Sequence, residues 1–265
     1  MKPTKRTLIT FLSIVILLTT AGCMASMNAG ILLGIVLSQF VRPGAAVAVP
    51  GWNGGPYNLK TMVGNYVLAD EQGVPTSMGK YYDLPVFGLG GSTDSKVLDH
   101  QCGMEATVSL LTALLHGANI VHDVGFMDSG LQGSLQLQVM CNDTIGFLRA
   151  MTAGVPVNDE TLALDVIDEL GPAGSYLDHP HTIRHFKEPY YSKLADKGTF
   201  SQWMDKGGTT MEQRAAKMVD KILATRTFNQ GIMIEQMADI KWAVKNLGVA
   251  FISFFVIINL VPCSL

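Results

Sequence analysis

Three short β-branched or apolar runs, residues 45–49, 86–89 and 119–124, are each followed by a polar, Gly-rich loop and then by apolar residues at helical spacing. Short runs of this kind, bounded by turn signals, read as strands, and parallel neighbours need a crossover between them. The pattern therefore predicts an α/β chain with a parallel sheet. Three helical stripes are visible: Leu59, Met62, Val63, Tyr66 and Val67; Met104, Val108, Leu111 and Leu115; and Leu162, Val166 and Leu170. They end at Gly73, Gly117 and Gly171, residues suited to the left-handed turn that closes a helix. A further helix is expected from about Leu135 to Thr152, stopping at Gly154, and Asn158 with Asp159 and Glu160 offers the next one a cap and a first turn that suits the dipole. The first helix, 28–41, is apolar all round and is stopped by Pro43-Gly44, so it should be buried on several sides.

Strand midpoints fall roughly 34 to 40 residues apart, close to the roughly 31 per unit expected when about 250 residues make eight βα units. This chain then holds about four units, a partial TIM (β/α)₈ barrel with terminal helices. A half barrel leaves two unpaired strand edges, each an exposed hydrogen-bonding ladder. A complementary half barrel or a homo-oligomer would close them.

Composition narrows the function classes. Of 265 residues, 48% are hydrophobic and 15% charged, the net charge is −3, and no block of Lys or Arg supplies the footprint that nucleic acid needs. Cys23, Cys102, Cys141 and Cys263 are scattered without zinc spacing, so buried thiols are expected and no metal site is indicated. Lys2, Lys5 and Arg6 precede the apolar run 8–18, and small residues lead to Cys23, a signal-like layout. Against it, Thr20 stands where a lipobox usually has Leu, and apolar character continues through Val41. Residues 247–261 form an apolar run shorter than the roughly 20 residues of a spanning helix. A tail anchor, a buried helix and an out-of-frame tail are the alternatives there. The chain thus divides into an apolar segment 1–21, a barrel part 22–248 and a tail 249–265.

An ordered set of motifs points to one family. It comprises residues 28–39 with Arg42-Pro43-Gly44, then Leu84-Pro85, the loop 90–96, residues 99–105 and Gly117-Ala118-Asn119. It continues with the loop 125–134, residues 170–177, His181-Thr182, Trp203, Gly207 and Arg214-Ala215-Ala216. In order and spacing this resembles the C-terminal half of the trimethylamine methyltransferase family, over roughly residues 19–248. The resemblance implies a TIM barrel and a cytoplasmic enzyme that moves a methyl group from a methylated amine to the Co(I) of a separate corrinoid protein. Membrane association through an apolar end is the alternative location. The family's first barrel half is expected to be missing, with residues 1–18 in its place. Two departures stand out: Gly30 occupies a position where the family pattern has an acid, and the loop 127–133 holds glycines where the founding enzymes carry pyrrolysine. The substituted position is Gly130 or Gly133. The chain thereby resembles the branch without pyrrolysine, whose members use quaternary amines such as glycine betaine.

A quaternary ammonium already has a neutral amine as leaving group, so its transfer needs in-line placement and exclusion of water more than an acid. Aromatic faces and carboxylates suit such a cation, which makes Phe126, Asp123 and Asp128 candidates, with His122 bonding a substrate carboxylate. All four lie at or after the C-terminal end of one strand, where barrel enzymes place their sites. In period two, however, His122 and Val124 share one face and Val121 and Asp123 the other, so one of the pair is equally able to face a helix. Asp94, Lys96 and Asp99 also follow a strand, with capping of the helix near Gln101 as their plainer role. His179 and His181 follow a short run, 175–177, that reads as a last strand; His181 is expected in the pocket or against corrinoid. Tyr190, Tyr191, Phe200 and Trp203 suit either a partner or packing of terminal helices. The stretch 99–103 fails the D-x-H-x-x-G motif of cobalamin domains, because Leu98 stands two before His100. Corrinoid would arrive on its partner protein and not be held permanently. A non-catalytic remnant and a membrane-tethered quaternary-amine binding module are the competing functions.

Overall fold

The computed structural model describes residues 20–51, 57–58, 60–61, 63–65 and 73–225. The signal-like run 8–18 and the apolar tail 247–261 fall outside the described residues. The chain divides into two compact units, Met1–Lys217 and Met218–Leu265; the sheet, its helices and the candidate sites belong to the first.

Strands β1 (Val49–Gly51), β4 (Val86–Leu89) and β5 (Ile120–His122) form a parallel sheet in the order β1-β4-β5. Two antiparallel pairs accompany it, β2 (Tyr57–Asn58) with β3 (Val63–Gly64), and β6 (Phe126–Met127) with β7 (Gln132–Gly133). Helices α1 (Thr20–Val41), α2 (Val74–Tyr81), α3 (His100–Leu115) and α4 (Leu135–Thr152) intersperse the strands. Short helices α5 (Asp159–Leu162), α6 (Leu164–Leu170), α7 (Pro180–His185) and α8 (Phe200–Asp205) follow, then α9 (Met211–Thr225).

Register decides which side of the sheet each residue faces. Val49 pairs with Val86, Phe87 with Ile120 and Leu89 with His122. Paired residues share a face and alternate residues change face. Val49 and Val86 are buried with Ile31 of α1, and a Cβ on Gly79 of α2 would lie 2.3 Å from Val86 and 2.6 Å from Val49. Only glycine lets α2 approach the sheet this closely. The helices therefore cover the Val86 face, and Phe87, Leu89, Ile120 and His122 look the other way. A second core joins α3, α4 and β6 through Cys102, Ala106, Leu110, Met127, Leu137, Cys141 and Leu148. Each large apolar side chain buried there contributes about 1.5–3 kcal/mol.

Local signals explain most boundaries. Asp99 caps α3 by accepting from the Cys102 N–H, and Ser134 caps α4 through Leu137 N–H. Asn158 and Thr161 form a reciprocal capping box.

Several expectations are corrected. The strand expected at 45–49 is Val49–Gly51, and that at 119–124 shortens to Ile120–His122. Val63, expected on a helical stripe, pairs in β3, while the other stripe residues Leu59, Met62, Tyr66 and Val67 lie outside the described residues. Gly73, expected to close a helix, precedes α2 in a left-handed conformation, and residues 66–72 before it lie outside the described residues. The stripe Leu162, Val166, Leu170 is cut in two at Ala163, whose φ of 47° breaks the helix in a way that periodicity cannot register. Residues 175–177 make no strand; Tyr176 instead closes a local turn by donating its hydroxyl to Gly171 O, and Leu177 is exposed. The parallel sheet thus has three strands among the described residues, where about four units were expected.

Helix α1 is not buried on several sides. Met24 and Ile31 are buried, whereas Leu33 (59%), Leu37 (54%) and Phe40 (82%) are exposed. It meets the sheet through Ile31 flanked by Met27 and Ile35, and the hydroxyl of Tyr82, at the end of α2, donates to its Asn28 at 2.9 Å. The stretch Met24–Val41 is long and apolar enough to cross a membrane by length and composition, and 11% of it is buried.

Candidate functional site

The loops that leave the carboxyl ends of β4 and β5 are laced together. Gly90 N–H donates to His122 O at 3.2 Å, Gly125 N–H to Gly91 O at 2.8 Å, Thr93 N–H to Phe126 O at 3.0 Å, and Asp128 N–H to Ser95 O at 3.1 Å. This ladder carries the strand pairing beyond the sheet and sets loop against loop. Glu105 of α3 fixes the first loop from below, accepting from the Thr93 hydroxyl at 2.6 Å and Asp94 N–H at 2.7 Å. Ser109, fully buried, accepts from Gly91 N–H at 3.0 Å.

Side chains of five expected site residues lie at this rim, in two groups. His122 Nδ1 lies 2.8 Å from Asp123 Oδ1, and its ring stacks on Phe87 with centroids 4.2 Å apart and planes 11° from parallel. Lys96 Nζ lies 3.4 Å from Asp128 Oδ1 and donates to Asp94 O at 2.7 Å. The Ser129 hydroxyl donates to Asp94 Oδ1 at 3.2 Å. Asp94, Lys96, Asp128 and Ser129 are thus one connected polar group.

Backbone strain concentrates in the same loops. Asp123, Asp128 and Ser129 have φ of 65°, 50° and 54°, and Gly125 and Gly130 have φ of 91° and 82°. Left-handed backbone costs a non-glycine residue about 1–2 kcal/mol, and such residues gather where function demands a shape. At Asp123 the consequence is specific: the turn ends the strand's alternation and brings the carboxylate back to His122. Gly133 pairs in β7, and a Cβ there would meet nothing within 4 Å. Phe126 begins β6, half-buried.

Other expected residues take different posts. Asp99 is the α3 cap, bonded to Cys102 N–H at 3.0 Å and the Ser95 hydroxyl at 3.0 Å. These donors, the Cys102 N–H first, hold its carboxyl below the usual aspartate range. His179 caps α7, accepting from His181 N–H at 3.1 Å. His181 Nε2 lies 2.8 Å from Glu160 O and its ring packs on His185; among the described residues its contacts do not reach the loops after β4 and β5.

Burial pushes the Cys102 and Cys141 thiols up to about 11 and about 12, so both are protonated at neutral pH and unsuited to nucleophilic work. Ser92 Oγ is wholly buried beside this rim with no hydrogen-bond partner among the described residues.

Two important polar residues were not foreseen as such. Glu105 organises the first loop. Asp143, 8% exposed, accepts from the Tyr190 hydroxyl at 3.0 Å, Lys193 N–H at 2.8 Å and the Ser192 hydroxyl. The signal for Asp143 was an acid within a mostly apolar helical face; Glu105 carried no such mark, since Gln101 and Ser109 share its face. Tyr190 accordingly packs: its hydroxyl also donates to Asp143 O, and its ring meets Phe147 edge-on. Desolvation, followed by the bond to Asp143, pushes its hydroxyl up to about 12. Trp203 likewise donates to Thr209 O at 3.0 Å within the terminal segment.

The sequence profile of the family "Trimethylamine methyltransferase (MTTB)" matches residues 17–236. The trimethylamine methyltransferase MttB of Desulfitobacterium hafniense is 32% identical over 213 residues, 79% of this chain and 43% of that protein. A trimethylamine methyltransferase of Methanosarcina mazei is 30% identical over 237 residues, 87% of this chain and 47% of its own length. A glycine betaine methyltransferase of Desulfitobacterium hafniense is 29% identical over 209 residues, covering 77% and 43%. The chain spans less than half the length of these relatives. With the profile matched across most of its residues, the chain belongs to the trimethylamine methyltransferase family.

Proposed function

We propose that this chain supplies the C-terminal part of a (β/α)₈ methyltransferase that takes a methyl group from a quaternary amine such as glycine betaine and delivers it to a corrinoid protein. The observation that carries the proposal is the placement of the His122–Asp123 pair and of the Asp94–Lys96–Asp128 group on the carboxyl-end loops of adjacent parallel strands in a family member. Helices cover one face of the sheet and His122 lies on the other, the side that becomes the interior when such a sheet closes.

In this reading Asp123 and Asp128 face the cationic head and Phe126 offers it a ring. His122 has Nδ1 committed to Asp123, so its bond to the substrate carboxylate uses Nε2. The open space beside Gly133, where a Cβ would meet nothing within 4 Å, leaves room for a trimethylammonium group. Corrinoid, brought by its partner protein, supplies Co(I) as a two-electron nucleophile. The carbon–nitrogen bond breaks with its electron pair left on nitrogen, giving a neutral tertiary amine that needs no proton.

Calorimetry on the full chain tests the binding half: glycine betaine should bind more tightly than trimethylamine. For the chemistry, the chain is combined with a complementary barrel half and a Co(I) corrinoid protein. Dimethylglycine should form from glycine betaine. Consumption of trimethylamine with no turnover of betaine would refute the assignment.

A further inference from the structure

We propose that Glu160 of α5 and His181 and His185 of α7 form a binding site for a divalent transition metal of the zinc type. One donor atom from each lies within 4.8 Å of the other two. Metal–ligand bonds of about 2.0–2.1 Å at tetrahedral angles place donors roughly 3.3 Å apart. His185 Nε2 and Glu160 Oε1 are already 3.1 Å apart.

Local structure builds this arrangement. His181 and His185 are four apart on α7 and therefore share a face, with ring centroids 4.4 Å apart. Pro180 opens the helix and the His179 side chain caps it, which fixes where that face points. Glu160 is set by the Asn158–Thr161 capping box. His185 Nδ1 lies 2.6 Å from Glu188 Oε1, which orients its Nε2 toward Glu160. A carboxylate behind a histidine in this way is the usual outer support of a metal ligand.

Without metal, Arg184 Nη2 holds Glu160 Oε1 at 2.9 Å, and His181 Nε2 rests on Glu160 O. Binding requires the guanidinium to withdraw, the His181 ring to turn from the carbonyl to the ion, and the His185 Nε2 proton to leave to solvent. Three protein ligands leave a fourth position open to water. The half-buried histidines and exposed Glu160 give an ion access. The proposal does not depend on the methyltransferase reading.

Zinc(II) titration of the chelator-treated full chain by calorimetry should show one saturable site. Glu160→Gln, His181→Ala and His185→Ala should each weaken it at least ~10-fold. Glu188→Gln should weaken it by about 10–100-fold with the circular dichroism of the chain unchanged. Absence of saturable binding, or affinity that survives the His181→Ala/His185→Ala double change, overturns the proposal. Cobalt(II) added to the unmutated chain keeps the test decisive if a variant fails to fold. Visible absorption of a tetrahedral nitrogen-and-oxygen site supports it. A spectrum like that of the aquo ion, or a sulfur-to-cobalt band placing the ion on a cysteine, overturns it.

Discussion

His122 Nδ1 and Asp123 Oδ1 lie 2.8 Å apart although the two residues are neighbours at a strand end, where alternation would send them to opposite faces. The contact exists because Asp123 turns into the left-handed region at φ 65°. His122 keeps the uncovered face of the sheet, and Asp123 folds back to meet it.

Removing only the charge isolates the role of that carboxylate. Asparagine tolerates left-handed backbone and still accepts from His122, so Asp123→Asn should fold normally. Its affinity for glycine betaine should fall about 10-fold, or roughly 1.4 kcal/mol, by calorimetry. Unchanged affinity with an unchanged melting temperature would take Asp123 out of the site.

Gly125 anchors the second loop at φ 91°, and a Cβ there would lie 2.4 Å from Gln138 Cγ and 3.1 Å from Ser134 O. Gly125→Ala should destabilise the chain by about 1–3 kcal/mol, combining left-handed strain with overpacking. Denaturant midpoints would show it. A variant as stable as the parent would mean that this loop contributes little to the fold.

Asp143 holds the segment around Tyr190–Lys193 onto α4. Asp143→Ala leaves the Ser192 hydroxyl and the Lys193 N–H without their acceptor and the Tyr190 hydroxyl with the residue 143 carbonyl alone, and should cost about 3 kcal/mol. Tyr190→Phe should cost only about 1 kcal/mol. Limited proteolysis should then cut between residues 186 and 199 in Asp143→Ala and spare Tyr190→Phe.

Acid sensitivity follows from Asp99. Its folded carboxyl is held below the unfolded value of about 3.9 by the Cys102 N–H and the Ser95 hydroxyl. A depressed group adds stability that is complete above the unfolded value and is lost as pH falls through the folded one. Urea midpoints of the parent should drop below about pH 4, and Asp99→Asn should show a shallower drop over the same range. Parallel acid limbs would show that Asp99 is not a source of the loss.

Much was legible without coordinates because it is written in short-range chemistry. The alternation of apolar runs and helical stripes sufficed for the parallel β1-β4-β5 sheet, and Val86–Leu89 and Leu135–Thr152 match their expected spans. Asp99 and Asn158 announced their helices as caps, because a cap needs only its own next three residues. The ordered motifs also identified the family.

Only the tertiary structure decided how those pieces act together. Whether α1 is buried depends on what lies beside it, and its neighbours bury Ile31 and leave Phe40 exposed. The turns at Asp123 and Ala163 are single backbone angles, invisible to any pattern of side-chain polarity. The same holds for Glu160 joining His185 across 25 residues, and for Tyr190 reaching Asp143 across 47. Periodicity records which face a residue can present; the partner on that face is chosen by packing between segments distant in the chain.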